Sequence, residues 1–484
     1  MFIVIPYLTS EPTVYGIYSV CISFSIFLAY ADLGFLGAGQ KYAAEYFAKG
    51  NREEEIKVIG FTNFILLIFL LLFSLGFFIL STHPQLLVRD IESVQQGNVA
   101  SSLLLILAIF TPTTLLQRLL QMIFGIRMED FIIQRSNIIG SVFKILSVLW
   151  FFRKGQYDIV GYFLFTQIIN LIATLITLLI ARKRYNYNFR GLFRSICFSK
   201  VVFAKTKSLA FASLFITISW ILYYELDSVA IGKLLGANQV AIYAIGLMVL
   251  SFFRSILGIL FSPFGVRFNH FIGHGDEEGL KSFYLQVVSV LAPIVVFPII
   301  IIAILARPIV FSWVGSDYSE SIIVIQFLVF CNILAFVTYP TNFMLIAKER
   351  QKVLYLINIL LPFVFWIGII VTIKFWGVYS FAIFKLIAFL FSAVYFYRLM
   401  IEYLDLRFIN SLKVFSSMLW PVLFLILTSF AIKDYLPEEK SKINLLVIAF
   451  FIGVLIMFSF GIQYFVSDNW RKQVRKILGQ FKKK

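Results

Sequence analysis

Charged residues are scarce in this chain of 484 residues, and so are cysteine and histidine. Only 14% of the residues are charged, whereas 60% are hydrophobic. An ordinary soluble protein has about 25% charged and roughly 45–50% apolar residues. So little polar material cannot cover the surface of a soluble chain of this size, which excludes a soluble enzyme. The composition predicts a polytopic membrane protein.

The three cysteines are far apart in the chain and form neither a disulfide framework nor a CxxC pair. Of the three histidines, only His270 and His274 have a helical i,i+4 spacing, and no HExxH motif surrounds them. All three fall in polar connectors, where solvated side chains are expected rather than zinc ligands. The sequence therefore predicts no metal site, no cofactor and no catalytic residue.

Positive charge is in excess, because 42 basic residues stand against 25 acidic ones and give a net charge of +17. Nucleic-acid binding needs basic residues clustered on a soluble face. Here the basic residues lie between apolar runs, so no nucleic-acid partner is expected. Topology signals and contacts with lipid headgroups explain the basic stretches better.

Long apolar runs occupy most of the chain. A bilayer core of about 30 Å needs roughly 20 apolar residues per helix, whereas barrel strands are about ten residues long and alternate in polarity. The runs therefore predict an all-α membrane protein. Thirteen candidate helices are found, at residues 14–36, 58–80, 99–124, 132–152, 159–181, 208–232, 240–264, 283–306, 321–345, 353–374, 378–400, 414–432 and 444–466.

The basic residues are unevenly distributed between alternate connectors. One set of connectors holds 29 of the 42 Lys and Arg residues, and the opposite set holds 9. Cytoplasmic connectors of membrane proteins carry the excess of Lys and Arg. The richer set, which includes the basic segment 182–207 and the tail 467–484, is therefore predicted to be cytoplasmic.

The two halves of the chain show a weak internal repeat at an offset of 225 residues. Val14 to Tyr18 corresponds to Val240 to Tyr243, and residues 50–57 correspond to 275–281, with Gly50 on Gly275. Each half thus has a helix after a short outer turn, a cytoplasmic segment with both charge signs, and a further helix. Such a duplicated bundle is the expected build of a secondary transporter.

The repeat predicts two six-helix lobes plus a terminal pair of helices. The expected divisions are an N-terminal lobe over 1–181, a basic cytoplasmic linker over 182–207, a C-terminal lobe over 208–400, an extra helix pair over 401–466 and a basic cytoplasmic tail over 467–484.

The start of the chain departs from the repeat. Helix 208–232 precedes the repeated segment in the second half, whereas only residues 1–13 precede it in the first half, which is too short to span a bilayer. The pattern predicts a truncated first helix, with about twenty further residues before Met1 and fourteen helices in all. The alternative is a thirteen-helix protein with its amino terminus outside. An in-frame stop directly upstream of Met1 would favour that alternative.

Three segments near the start form a recognisable set: Pro6–Thr9 followed by Val14–Tyr18, then Ala31–Gly34, then Lys41–Glu45. Together they resemble the polysaccharide repeat-unit flippases, also called O-antigen or lipid-linked oligosaccharide flippases, of the multidrug, oligosaccharidyl-lipid and polysaccharide exporter superfamily. Members of that family usually carry a complete first helix before the stretch that corresponds to Pro6–Thr9, which this sequence does not.

The resemblance implies a V-shaped pair of six-helix lobes around a central cavity in the cytoplasmic membrane of a bacterium. The implied cargo is a polyprenyl-diphosphate-linked oligosaccharide, moved from the inner to the outer leaflet by alternating access. The implied partners are this lipid-linked substrate, membrane lipids, and the polysaccharide polymerase and chain-length machinery.

Four basic residues fall inside the predicted helices: Arg118, Lys144, Arg254 and Lys385. Inserting such a charge at a helix centre costs about 2.5–3.5 kcal/mol, so each should face protein or water. The charges either line a cationic cavity that attracts the carrier diphosphate, or hydrogen-bond between helices, with Arg118 reaching toward the membrane surface. Polar residues share their helix faces, namely Thr114, Gln117 and Gln121 with Arg118, Asn137 and Ser141 with Lys144, Ser251, Ser255, Gly258 and Ser262 with Arg254, and Ser392 with Lys385.

Acidic residues inside the helices are few. Asp32 lies near the end of the first candidate helix, where it is either a proton or sodium coupling site or a structural residue of the Asp32–Gly34 turn. Glu225 and Asp227 lie toward the outer end of helix 208–232, as rim residues or as coupling acids.

Two other functions compete with the flippase. A multidrug or cation antiporter of the same superfamily should prefer acidic residues in its cavity, whereas the charges here are mainly basic. A membrane polymerase or glycosyltransferase needs a large outer loop with catalytic side chains, and the longest outer connector, 81–98, holds just three charged residues. The sequence therefore predicts a transporter rather than an enzyme.

Overall fold

A computed structural model describes residues 3–28, 32–89, 91, 93–153, 156–348, 350–405, 416–468, 470–473 and 475. These residues form α-helices, short 3₁₀ turns, one π-helical turn and connecting loops, and the described part of the chain contains no β-strand. The prediction of an all-α polytopic membrane protein is confirmed.

The chain divides into two compact units, Met1–Ala241 and Ile242–Lys484. The helices of the first unit are α1 Ile5–Leu8, α2 Pro12–Phe27, α3 Phe35–Ala48, α4 Arg52–Thr82, α5 Val94–Phe110, α6 Thr114–Ile126, α7 Phe131–Phe151, α8 Ile159–Tyr185, α9 Phe189–Arg194, α10 Lys200–Trp220 and α11 Leu226–Leu235. The boundary falls inside α12, Ala237–Gly273, and the second unit continues with α13 Glu277–Ile304, α14 Ala306–Trp313, α15 Ser321–Phe330, α16 Ala335–Ala347, α17 Gln351–Trp376, α18 Tyr379–Leu404, α19 Leu419–Ile432 and α20 Lys442–Val466.

Ten stretches of the described chain are long and apolar enough to cross a membrane, or eleven if α15 and α16, bent by 45°, form one broken span. These eleven coincide with eleven of the thirteen predicted runs. The other two runs, 14–36 and 414–432, fall on the shorter helices α2, of 16 residues, and α19, of 14 residues. Both of these runs also include residues outside the described ranges.

The internal repeat is visible in the backbone. Gly50 and Gly275 both adopt a left-handed conformation, with φ of 70° and 68°, which a residue without Cβ tolerates best. Each is followed by a helix cap, Asn51 or Asp276, whose side chain accepts a hydrogen bond from the amide three residues later, at 3.2 and 2.8 Å. The same turn thus ends one helix and starts the next at both positions, 225 residues apart.

The first unit extends beyond the N-terminal lobe expected from the sequence. Helix α10 packs along α3 and α11 packs along α2. Phe203 of α10 stacks on Phe35 with ring centroids 6.0 Å apart, and Gly16 of α2 lies against the backbone of Ala237, where a Cβ would be 1.8 Å from the carbonyl oxygen. These contacts are internal to the first unit, which extends to Ala241.

The basic segment predicted as a linker is folded onto the first unit. Leu192 of α9 is fully buried, and the Ser195 hydroxyl donates hydrogen bonds to the carbonyls of Leu192 at 2.7 Å and Ile56 at 3.2 Å. Gly60 of α4 leaves the space that Ser195 occupies, since a Cβ there would lie 2.2 Å from the Ser195 Oγ. The residues of 182–207 thus serve as packing elements of the unit that precedes them.

Helix α13 forms the centre of the second unit, with α15, α16, α19 and α20 packed around it. Phe460 of α20 lies with its ring centroid 5.3 Å from that of Phe297 on α13, and the Trp470 indole N–H donates to the carbonyl of Val290 at 3.4 Å. The helices within 401–466, expected as an extra pair, are therefore integrated into this unit. Residues 406–415 and 476–484, which include the end of the predicted basic tail, lie outside the described residues.

Candidate functional site

Three helices of the first unit each carry a polar stripe. Helix α6 buries the apolar residues Leu115, Leu119 and Ile123 and thereby leaves Arg118 and Gln121 on a different face, since residues three and four apart share a helix face. Helix α7 carries Asn137, Ser141 and Lys144 at the same spacing, and α8 carries Asn170, Thr174 and Thr177.

The stripes meet around one polar cavity of about 700 Å³ within the first unit. Helix α3 and the turn before α7 complete its wall. The lining residues are Gln40, Gln117, Arg118, Leu120, Gln121, Asp130, Ile133, Gln134, Asn137, Ser141, Lys144, Asn170, Ala173, Thr174 and Thr177. Arg118 and Lys144, which the sequence predicted as cavity cations, therefore share a cavity.

Both cations of this cavity are held by amide oxygens. The Lys144 ammonium donates to Asn170 Oδ1 at 2.5 Å, which links α7 to α8. One Arg118 nitrogen donates to Gln121 Oε1 at 2.9 Å, one turn further along α6. A neutral amide positions a cation without itself cancelling the charge.

The rest of the lining can hydrogen-bond to a hydroxyl-rich ligand. Amide side chains both donate and accept hydrogen bonds, and hydroxyl groups do the same. Six amides and three hydroxyls line the cavity. The one acid among its described lining residues is Asp130. The cavity can therefore receive an anionic group and polar groups at the same time.

The contribution of α8 was not predicted from the sequence. Asn170, Thr174 and Thr177 have the i, i+4, i+7 spacing that singled out α6 and α7, so the signal was present. The threonine hydroxyls donate to carbonyls four residues earlier in α8, at 2.7 Å each. This stripe contains no basic residue, so charge inside a predicted helix does not single it out.

Arg254 and Lys385 lie in the second unit. Arg254 is half-buried on α12, and within its stripe the Ser255 hydroxyl donates to the carbonyl of Ser251 at 2.8 Å. Lys385 of α18 is completely buried, with its ammonium 5.2 Å from the centroid of the Phe365 ring. A cation so enclosed lines no solvent-accessible cavity in this structure, and its contact with an aromatic face stabilises the charge within the protein.

Asp32 sits at a helix start. Its carboxylate accepts a hydrogen bond from the Leu36 amide at 2.9 Å, at the first turn of α3. The two residues that follow, Leu33 and Gly34, have positive φ values of 49° and 79°. A carboxylate in this position satisfies a free amide at the helix N-terminus and complements the helix dipole.

Glu225 and Asp227 are not rim residues, because only 7% and 0% of their surface is exposed. They flank the end of the π-helical turn Ile221–Glu225 between α10 and α11. A π-turn locally widens a helix and is often found at functional positions.

The part of the chain that the structure describes contains no group of three His, Cys, Asp or Glu side chains able to hold a metal ion. His270, in the last turn of α12, and His274, just after the helix, have Nε2 atoms 3.3 Å apart in an exposed position.

Comparison with solved structures finds this fold in known transporters. The lipid II flippase MurJ in an inward closed conformation superposes with a TM-score of 0.66 at 12% identity, covering 95% of this chain and 96% of that one. A multidrug resistance MATE family transporter of the MOP superfamily, in an inward-facing conformation, gives a TM-score of 0.65 at 14% identity, covering 84% and 94%. At these identities the likeness shows a shared fold.

A sequence-family comparison identifies the family directly. The family model described as polysaccharide biosynthesis protein matches residues 1–266, more than half of the chain. No curated protein sequence matches significantly. The chain therefore belongs to the polysaccharide biosynthesis protein family, which confirms the resemblance found in the sequence.

Proposed function

We propose that this member of the polysaccharide biosynthesis protein family is a flippase for polyprenyl-diphosphate-linked oligosaccharide repeat units. It moves them across the bacterial cytoplasmic membrane by alternating access, for the synthesis of surface polysaccharide such as O-antigen, capsule or exopolysaccharide. The observation that carries the proposal is the polar cavity of the first unit, in which Arg118 and Lys144 stand among amides and hydroxyls inside a bundle of apolar helices.

The two cations suit the diphosphate of the carrier. The planar guanidinium of Arg118 can hold two phosphate oxygens at once, while the ammonium of Lys144 acts as a point charge. Placing both charges inside membrane helices costs about 2.5–3.5 kcal/mol each on insertion scales. Charged residues inside membrane helices mark substrate pathways in membrane proteins, and attraction to an anionic cargo offsets the free-energy cost of inserting them.

The amides and hydroxyls suit the sugars. A saccharide presents hydroxyl groups that donate and accept, and Gln117, Gln134 and Asn137 offer matching groups along the same cavity. A multidrug antiporter with cationic cargo remains the second candidate. Asp130 is the one acid among the described lining residues that would bind a cationic cargo, and two basic residues oppose that acid.

The remaining predicted residues take different roles in this proposal. Arg254 supplies a cation in the second unit. Lys385 and Asp32 stabilise helix packing and a helix start, as their burial and hydrogen bonding indicate. The protein is a transporter without catalytic chemistry, and the polysaccharide polymerase and chain-length machinery are its partners downstream.

Transport by purified protein in liposomes tests the proposal. Lys144→Gln removes the charge while keeping a polar side chain. A charge-assisted contact contributes about 1.5–3 kcal/mol, so transport of the lipid-linked oligosaccharide per inserted molecule should fall roughly ten- to a hundredfold. Arg118→Gln should act in the same direction.

Lys374→Gln is the matched control, because Lys374 is exposed near the end of α17 and outside the cavity. It should transport like the wild type. Full transport by both cavity variants would contradict the proposed function. Export of cationic dyes, with no movement of the lipid-linked oligosaccharide, would establish the multidrug antiporter instead.

A further inference from the structure

We propose that a second cleft of the first unit, at the end of α8, binds the phosphate headgroup of an anionic phospholipid in the adjoining leaflet. The cleft has a volume of about 710 Å³. Three of its lining residues are the arginines Arg182, Arg190 and Arg194, and we call it the arginine cleft. Its other lining residues are Leu178, Leu179, Tyr187, Asn188, Phe189 and Phe193.

The cleft is formed by a reversal of the chain. Helix α8 ends at Tyr185, and Asn186 follows in a left-handed conformation with φ of 46°. The chain then turns back, and Asn188 caps the short helix α9 by accepting a hydrogen bond from the Gly191 amide at 2.9 Å. The last turns of α8 form one wall of the cleft and α9 forms the other.

Both walls are held in place by the protein, so the cleft exists before a ligand binds. Leu192 anchors α9 in the core, as described above. The Arg52 guanidinium lies 4.3 Å from the centroid of the Tyr187 ring and donates to the carbonyl of Tyr185 at 3.3 Å. A preformed site avoids the entropic cost of ordering the arginines' backbone when the ligand binds.

Within the described part of the first unit, no acid neutralises the positive charge of the cleft. No acid lines it among the described residues, and Arg182, Arg190 and Arg194 form no ion pair or hydrogen bond with the described part of the protein through their side chains. The nearby acids have other partners. Glu55 pairs with Arg127 at 2.8 Å, and Glu129 pairs with Arg184 at 2.7 Å.

The second of these pairs is firmly ionised. Two hydrogen bonds from Arg184 and one from Tyr185 hold the pKa of the Glu129 carboxyl below its ordinary value. Glu129 is therefore ionised at neutral pH, and its carboxylate is paired with Arg184. Among the described residues, the three arginines of the cleft have exposed guanidinium groups and no ion-pair partner, so they can meet an anion from outside.

The position of the cleft, at the end of a candidate membrane-spanning helix, favours a lipid as its ligand. Helix α8 is a membrane-spanning candidate over Ile159–Tyr185, so Arg182 lies at its last turn, where headgroups are expected. Leu179 and Phe193 are exposed hydrophobic side chains beside the arginines, and they can contact a hydrocarbon chain. Basic pockets at the ends of membrane helices bind anionic headgroups. The cleft shares no lining residue with the cavity of the candidate functional site.

Two other phosphate compounds offer the same chemistry, a polyprenyl phosphate and free inorganic phosphate. The exposed Leu179 and Phe193 favour a ligand with a hydrocarbon chain over free phosphate. We assign the cleft to phospholipid because Leu178 and Leu179 line it from a candidate membrane-spanning helix, and phospholipid is the abundant phosphate-bearing molecule of a bilayer.

Lipid retention by the full-length protein in detergent tests the assignment. The triple variant Arg182→Gln, Arg190→Gln and Arg194→Gln is compared with a control triple, Lys49→Gln, Lys200→Gln and Lys207→Gln. The control removes the same charge from exposed positions outside the cleft. The probes are phosphatidylglycerol, phosphatidylcholine, undecaprenyl phosphate and inorganic phosphate, and binding is measured by native mass spectrometry. Thermal unfolding of each variant shows whether it is folded.

The wild type and the control triple should retain phosphatidylglycerol in preference to phosphatidylcholine. The arginine triple should bind phosphatidylglycerol about a hundredfold more weakly, since each basic residue near the surface contributes a roughly fivefold effect. If the arginine triple and the control triple retain the same amount of phosphatidylglycerol, the proposal is overturned, whether both variants bind this lipid or neither does. Displacement of phosphatidylglycerol by inorganic phosphate, or a preference for undecaprenyl phosphate, would also overturn the assignment to phospholipid.

Because the cleft and the cavity share no residue, this outcome is independent of the proposed function. Should the arginine triple unfold, the single variant Arg190→Gln replaces it. It is expected to weaken phosphatidylglycerol binding severalfold, and unchanged binding by a folded Arg190→Gln would count against the cleft.

Discussion

Arg127 donates a hydrogen bond to the carboxylate of Glu55 at 2.8 Å, and the two side chains are only 5% and 1% exposed. The guanidinium also donates to the carbonyl of Ile123 at 2.9 Å and lies 4.6 Å from the centroid of the Phe47 ring. This pair joins the start of α4 to the end of α6, the helix that carries Arg118. It thereby fixes one wall of the cavity.

Breaking this pair should destabilise the first unit. Glu55→Gln leaves the buried Arg127 without its counter-charge, and removing one partner of a buried ion pair costs about 3–5 kcal/mol. The thermal unfolding temperature of the purified protein should fall markedly. The double variant Glu55→Gln with Arg127→Gln should recover part of the loss, because no charge is then left unpaired. The control Glu53→Gln removes an exposed partner of Lys57 and should leave unfolding unchanged. If Glu55→Gln and Glu53→Gln have the same unfolding temperature, the Arg127–Glu55 pair does not stabilise the first unit.

The cytoplasmic location of the 182–207 segment can be tested with a native cysteine. Cys197 is exposed, whereas Cys21 and Cys331 are buried, so an impermeant maleimide should react with Cys197 alone. From the uneven distribution of basic residues we expect labelling in inverted vesicles and none in intact cells, and Cys197→Ser should abolish it. Labelling of intact cells would reverse the predicted topology. Ser195, in the same segment, is unsuitable for an introduced cysteine because it is packed against Gly60.

Arg254, a residue of the second unit, is predicted to bind the carrier diphosphate. Arg254→Gln should lower transport per inserted molecule roughly ten- to a hundredfold, as expected for the loss of a charge-assisted contact of about 1.5–3 kcal/mol. Arg254→Lys should retain only part of the wild-type transport, because lysine lacks the bidentate guanidinium. Surface polysaccharide normalised to membrane-inserted protein measures the effect. Reduced insertion with unchanged transport per molecule would instead assign Arg254 to helix packing.

Two glycines in the first unit should respond oppositely to alanine. A Cβ on Gly16 would lie 1.8 Å from the carbonyl oxygen of Ala237, a backbone atom that cannot rotate away. Gly16→Ala should therefore separate α2 from the start of α12 and lower the unfolding temperature strongly. A Cβ on Gly37 meets nothing within 4 Å, so Gly37→Ala should stabilise α3 by up to about 1 kcal/mol through helix propensity. Equal unfolding temperatures for the two variants would contradict the close packing at Gly16.

Much of the fold was predictable because its signals are local. An apolar run long enough to cross a bilayer forms a helix, because in lipid its backbone N–H and C=O groups can form hydrogen bonds only within the segment itself. The repeated turn was also predictable from Gly50 and Gly275, because a left-handed residue followed by a capping side chain is encoded within a few positions. The stripes around Arg118 and Lys144 followed from helical spacing alone.

What the sequence determined by itself is thus the class of protein, the identity of most helices, the cations placed within them and the family. Only the tertiary structure decided that Arg118 and Lys144 share a cavity completed by Asn170, and that Lys385 is enclosed beside Phe365. It also placed the unit boundary at Ala241 and packed 182–207 onto α4. These facts depend on which helices become neighbours, and that choice is made by side-chain packing between segments far apart in the chain.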